Sequence, residues 1–162
     1  MPIWPIVQGL TLVMVANGTP LLAKKVFGAW GAWPLDFGAR FVDGRPLLGT
    51  SKTIRGLLLA LVATAGAAPL LGLPWQVGAL AGAAAMAGDL LSSFIKRRLG
   101  LAPESMALGL DQAPESLLPL LACKNDLGLA TTDVLAATAL FWAGELALSR
   151  ALYALNIRDR PY

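Results

Sequence analysis

The chain has 162 residues, of which 56% are apolar and 14% charged, and it contains no histidine. Soluble domains average about 25% charged residues, so too few are present to cover a water-facing surface. The single cysteine, Cys123, excludes an internal disulfide framework and a cysteine-rich metal site, and reads as a small apolar filler. Without imidazole, any metal must sit among carboxylates, which favours Mg²⁺, Mn²⁺ or Ca²⁺ over zinc.

Several apolar runs are long enough to cross a bilayer, which takes roughly 17–25 residues. Five helices are predicted, at about 3–22, 56–71, 75–95, 110–122 and 134–155, in a single all-α membrane domain covering 1–162. The first begins at a Met1-Pro-Ile-Trp4 terminus without the cationic region of a signal peptide, so it is expected to remain as a helix. It is expected to break at Asn17-Gly18-Thr19-Pro20. Gly66, Gly78, Gly82 and Gly88 are expected to permit close helix contact.

Cations set the expected orientation. Lys24, Lys25, Arg40, Arg45, Lys52 and Arg55 follow the first span; Lys96, Arg97 and Arg98 follow the third; Arg150, Arg158 and Arg160 lie near the end of the fifth. Five spans put all of these on one side and leave Lys124 on the other, which predicts the N-terminus outside and the C-terminus in the cytoplasm. The long loop from about 24 to 55 carries glycines, the acids Asp36 and Asp43, and Phe27, Trp30, Trp33, Phe37 and Phe41 at a spacing expected of a segment lying at the membrane interface.

Acids at bilayer depth point to function by default, and Asp89, Asp111, Glu115 and Glu145 lie within or at the ends of apolar spans. Glu145 has no marked partner nearby in sequence, so a residue that snorkels or stays protonated is the favoured reading for it. Asp89 opens the string Gly88-Asp-Leu-Leu-Ser-Ser-Phe-Ile-Lys-Arg-Arg98. At about 100° per residue, Ser93 falls about 40° from Asp89, Lys96 about 20° to the other side and Arg97 about 80° away. An acid and two cations on one stripe suit a metal with a bound polyphosphate. Arg98 falls on the opposite face, where it is expected to reach lipid phosphates and to matter little. A membrane-anchoring basic cluster would explain residues 96–98 but not Asp89.

Gly49-Thr-Ser-Lys-Thr-Ile-Arg-Gly56 places Lys52, Arg55, Ser51 and Thr53 at a helix start, which favours anions, although it lacks the G-x-x-x-x-G-K-[ST] phosphate-loop pattern. Gly109-Leu-Asp-Gln112, with Glu115 one turn on and Pro114 and Pro119 beyond, marks a segment buried in protein or lining a wet cavity.

Taken in order, Lys52-Thr53-x-Arg55-Gly56, Gly88-Asp89, Ser93-x-x-Lys96-Arg97 and Leu110-Asp111 resemble the CDP-diacylglycerol synthase superfamily of phosphatidate cytidylyltransferases. The short five-helix chain, Asn17-Gly18-x-Pro20 and Gly109-Leu-Asp-Gln112 more closely resemble its CDP-archaeol synthase family. Bacterial members carry an Asp-Arg pair where Gln112 follows Asp111 here, which points away from phosphatidate. The resemblance implies transfer of a cytidylyl group from CTP to a lipid phosphate with release of pyrophosphate, in phospholipid biosynthesis at the cell membrane. The expected lipid is 2,3-bis-O-geranylgeranyl-sn-glycerol 1-phosphate, giving CDP-archaeol. It implies Mg²⁺ (or Mn²⁺) held by Asp89 and Asp111, with Lys96 as a third catalytic residue. Lys52, Arg55, Lys96 and Arg97 would bind the phosphates, Asn17 and Asp43 would line the nucleotide side, and Thr53, Ser93 and Gln112 complete the expected substrate-binding set. Membrane lipids are expected partners, nucleic acid is not, and a homo-oligomer is allowed. The alternative class is a small transporter or channel using intramembrane acids, for which no internal repeat is visible.

Overall fold

The structure, a computed structural model, describes residues 2–154 except Glu104, Met106 and Leu108, with 148–154 as helical backbone alone. Five helices form it: α1 (Ile3–Phe27), α2 (Ile54–Leu70), α3 (Trp75–Arg98), α4 (Gln112–Ala122) and α5 (Thr131–Ala154). Strands are absent among the described residues, which show only the isolated bridges Pro34↔Thr53 and Arg40↔Pro46. The expected end of the last helix at Leu155, with Arg158 and Arg160, lies outside the described residues.

α1 does not break at Asn17-Gly18-Thr19-Pro20 but continues to Phe27 with Pro20 inside it. Thr19 Oγ1 donates to the Val15 carbonyl at 2.6 Å, and Pro20 packs against α2, where a Cβ on Gly56 would lie 3.2 Å from it. Ending a helix in an apolar surround would strand its terminal carbonyls, so a distorted helix costs less than a stopped one.

The other ends follow local signals. Thr53 caps α2, its backbone extended and its hydroxyl accepting from the Gly56 N–H at 3.1 Å. α3 closes at Gly100, whose φ of +75° lets the Gly100 N–H reach the Arg97 carbonyl at 3.1 Å and the Leu101 N–H reach that of Lys96 at 3.0 Å.

Close approach sets the packing. A Cβ at Gly78 would meet the Thr64 carbonyl at 2.1 Å and one at Gly82 the Thr64 hydroxyl at 2.2 Å, so α2 and α3 touch through backbone. At Gly88 a Cβ would lie 2.2 Å from the Pro114 carbonyl, which puts α4 directly on α3. Gly66 instead faces open space, so the expected contact there does not form.

The helices alternate in direction, leaving the 28–53 and 99–111 loops at one end of the bundle. The other end is closed by a cluster that includes Leu12, Val13, Leu120 and Val134, none more than 1% exposed. Large apolar side chains such as Met14, Leu21, Leu58, Val62, Leu80 and Leu140 point outward. α1 and α3, with mean hydropathy of 1.5 and 1.4 over their most apolar windows, are long and apolar enough to cross a membrane; α2 is apolar but shorter. An outside this apolar does not suit a water-soluble monomer.

A charged cavity between the long loops and the helix ends

At the loop end the C-terminal half of α1, the start of α2, the middle of α3 and the start of α4 surround a cavity of about 700 Å³. Each wall brings polar groups. α1 contributes Asn17, whose Nδ2 is buried without a hydrogen-bond partner. The α2 start contributes Lys52, Thr53 and Arg55, α3 contributes Asp89, and α4 contributes Glu115.

Lys52 Nζ lies 2.5 Å from Asp89 Oδ1, with both side chains about one-fifth exposed. Glu115, from the neighbouring helix, lines the same cavity beside the Asp89 carboxylate. The Gly88–Pro114 crossing produces this juxtaposition, because it leaves no side chain between α3 and the first turn of α4. Arg55 lines the cavity but is already engaged: it donates to the Trp30 and Gly28 carbonyls and lies 5.6 Å from the Phe27 ring centroid.

The predicted stripe on α3 therefore divides. Asp89 faces the cavity, whereas Ser93, Lys96 and Arg97 are buried nearer the helix end and are not among the residues lining it. Lys96 pairs with Asp111 at 2.7 Å and donates to the Ser105 carbonyl at 3.0 Å. Arg97 donates to the Ala102 carbonyl and crowds Gly49, where a Cβ would meet its guanidinium at 3.0 Å. Asp111 also accepts from the Ala107 N–H, and Gln112 Oε1 from the Gly109 N–H. These contacts fold the 99–111 loop back onto α3.

Asp43 is not on the cavity; it pairs with Arg98 at 3.1 Å. Arg98 is correspondingly not directed to lipid, and it also bonds the Pro46 carbonyl. The helical wheel located its face correctly but could not show that the 28–53 loop returns to cover it. Asp36 organises that loop, accepting from the N–H groups of Leu48 (2.9 Å), Gly49 (3.2 Å) and Gly38 (3.0 Å). Burial alone would raise its carboxyl, but the donors from Leu48, Gly38 and Gly49 outweigh burial and hold it below the usual carboxylate value.

Sequence reasoning flagged Glu115 as an intramembrane acid without giving it a role. Its signal was the i, i+4 spacing from Asp111, but only the helix crossing shows that it meets Asp89. Among the described residues no three Asp, Glu or Cys side chains form a ready metal cage. Mg²⁺ does not require one, since it commonly takes one or two carboxylates together with substrate phosphates. The adjoining Asp89 and Glu115 oxygens in the cavity fit such an ion.

An all-helical bundle with an apolar outside and an anion-ready, carboxylate-bearing cavity at one end defines a membrane protein with a polar ligand site. The sequence profile described as CarS-like: CDP-archaeol synthase matches residues 6–76. The chain is 36% identical over 155 residues to CDP-archaeol synthase of Sulfurisphaera tokodaii, covering 92% of this chain and 90% of that protein. It is 34% identical over 153 residues to that of Pyrobaculum arsenaticum, covering 91% and 92%. A solved structure described as an intramembrane enzyme for archaeal membrane lipids biosynthesis superposes with a TM-score of 0.75 at 33% identity, over 88% of this chain and 90% of that one. The chain belongs to the CDP-archaeol synthase family.

Proposed function

We propose that this chain transfers the cytidylyl group of CTP to the phosphate of an archaeal ether lipid, 2,3-bis-O-geranylgeranyl-sn-glycerol 1-phosphate, giving CDP-archaeol and pyrophosphate. The observation that carries this reading is the Lys52–Asp89 pair with Glu115 in one membrane-level cavity, in a chain of this family. A lipid phosphate oxygen attacks the α-phosphorus and pyrophosphate leaves; a phosphomonoester is already anionic near neutral pH, so no protein base is needed. Such chemistry depends on positioning and on neutralising charge.

Lys52–Asp89 joins a phosphate-binding cation to a carboxylate on the cavity, and Lys96–Asp111 repeats the pairing nearer the end of α3, off the cavity. With substrate bound, Lys52 would turn to phosphate oxygens and leave Asp89, with Glu115 beside it, able to hold Mg²⁺. The ion, when bound, would neutralise phosphate charge and hold the pyrophosphate as it departs. Asn17 Nδ2, the unpartnered donor, is placed to donate a bond to the nucleotide, while Thr53 and Arg55 complete the phosphate wall. Ser93, Arg97 and Gln112 support that wall from behind.

We read all five helices as membrane-embedded, with the N-terminus outside and the cavity open to the cytoplasm. α4 has eleven residues and covers only about half of a 30 Å hydrocarbon core, so it does not cross it alone. A transporter is disfavoured because the Leu12, Val13, Leu120 and Val134 cluster closes the bundle beyond the cavity. Purified protein given labelled CTP, Mg²⁺ and a set of lipid phosphates should yield a CDP-lipid; none from any ether or ester lipid phosphate would reject the reading.

A further inference from the structure

We propose that Arg98 is a positioning residue: it latches the 28–53 loop onto the end of α3 and thereby holds Lys52 at the cavity. Its guanidinium faces one turn of that loop and Phe94 of α3, with Nε left without a hydrogen-bond partner. Nη1 lies 3.1 Å from Asp43 Oδ1, Nη2 donates to the Pro46 carbonyl, and the group sits 4.7 Å from the Phe41 ring centroid and 5.0 Å from that of Phe94. Phe41 from the loop and Phe94 from α3 meet edge to face at 5.3 Å beneath it. The exchange is reciprocal, because Arg45 of the loop donates to the Arg98 carbonyl, one of those left without a partner at a helix end.

From this latch a short chain of contacts leads to the cavity. Beyond Pro46 the backbone passes Leu48 and Gly49, whose N–H groups are held by Asp36. The Lys52 N–H then reaches the Gly49 carbonyl at 3.3 Å, and the Lys52 carbonyl accepts from the Leu35 N–H at 2.8 Å. Lys52 is a flexible point charge whose aim depends on where its backbone is rooted. Freeing the 41–46 turn releases one end of that root. Phosphate binding should suffer before chemistry does, since the groups bearing directly on the transfer stay on helices α3 and α4.

The kinetic arm of the test rests on the CTP reading; the proteolytic arm does not. In detergent-purified protein, Arg98→Ala should raise KM for CTP about tenfold while kcat stays within about threefold, the pattern of lost binding. Trypsin cleavage after Arg40 should speed up about tenfold, as expected of a segment released from its contacts. Arg98→Lys keeps the charge facing Asp43 but loses the fork to Pro46 and the stacking on Phe41, so it should fall between. Phe41→Ala loosens the same latch from the loop side, by removing its ring from Arg98 and Phe94, and should move KM in the same direction; it decides the matter should Arg98→Ala fail to fold. Unchanged KM and cleavage in the folded variants, or a fall in kcat at constant KM, would overturn the proposal. Should the parent form no CDP-lipid, the CTP reading fails and the trypsin pattern alone decides the latch.

Discussion

Replacing Gly88 by alanine tests the contact that brings Asp89 to Glu115. The added Cβ would stand 2.2 Å from the Pro114 carbonyl oxygen, 2.5 Å from its carbon and 2.9 Å from the Glu115 nitrogen. Ordinary contact begins at 3.4 Å, so α3 and α4 must part by about 1.2 Å, and the obstacle is backbone with no rotamer to swing aside. Overpacking of this kind costs roughly 1–3 kcal/mol. A displacement of about 1 Å at a reacting centre costs on the order of 10²-fold in rate, so the loss of activity should far exceed the loss of folding. Gly66→Ala is the matched control, since that position faces open space and alanine is the better helix former by about 1 kcal/mol; it should leave activity intact and hold or raise the melting temperature. CDP-lipid formation and thermal melting, measured on both variants, decide the point. A Gly88→Ala protein with parental turnover would refute the α3–α4 crossing as the device that assembles the cavity.

Asp89→Asn keeps volume but removes the charge between Lys52 and Glu115, and should lower kcat by about 10²–10³-fold in a protein that still melts cooperatively; full turnover after EDTA treatment would remove the metal from the proposed site. The Asp36 carboxyl is lowered on folding, so its contribution to loop order is complete above the unfolded value of about 3.9 and is lost as pH falls through the lower folded value. Hydrogen exchange at the Leu48 and Gly49 amides should accelerate in that acid window, and Asp36→Asn should remove the dependence; an identical acid response in the variant would assign it to another group. For topology, in a Cys123→Ala background, cysteines at Val42, which is 93% exposed, and at Asn125 should label from opposite faces of sealed vesicles. Labelling from one face would reject the alternating five-span arrangement.

Chain-local information settles a large share of this protein. Apolar run length calls for membrane helices, and the order of Lys52-Thr-x-Arg55, Gly88-Asp89, Ser93-x-x-Lys96-Arg97 and Leu110-Asp111 leads to a family that the whole-length relatives share. The helical period also places Asp89, Ser93 and Lys96 on one stripe, because the angle between residues of one helix depends on nothing outside it. It does not reveal what lies across from each turn. Three different neighbours meet that end of α3: α4 at Gly88, the 99–111 loop at Lys96 and the 28–53 loop at Arg98. One stripe thus supplies a cavity carboxylate, a loop-fastening lysine and, on the reverse face, a half-buried arginine that periodicity alone assigned to lipid. Pro20 is a second instance: its ring predicts a helix end from local sterics, yet packing on Gly56 and an apolar surround carry α1 on to Phe27. Glu115 is a third, since its spacing from Asp111 was legible but its meeting with Asp89 depends on a glycine in another helix. Local geometry is written residue by residue, whereas partners across helices are chosen by which surfaces can approach closely enough, and that choice exists only once the bundle has closed.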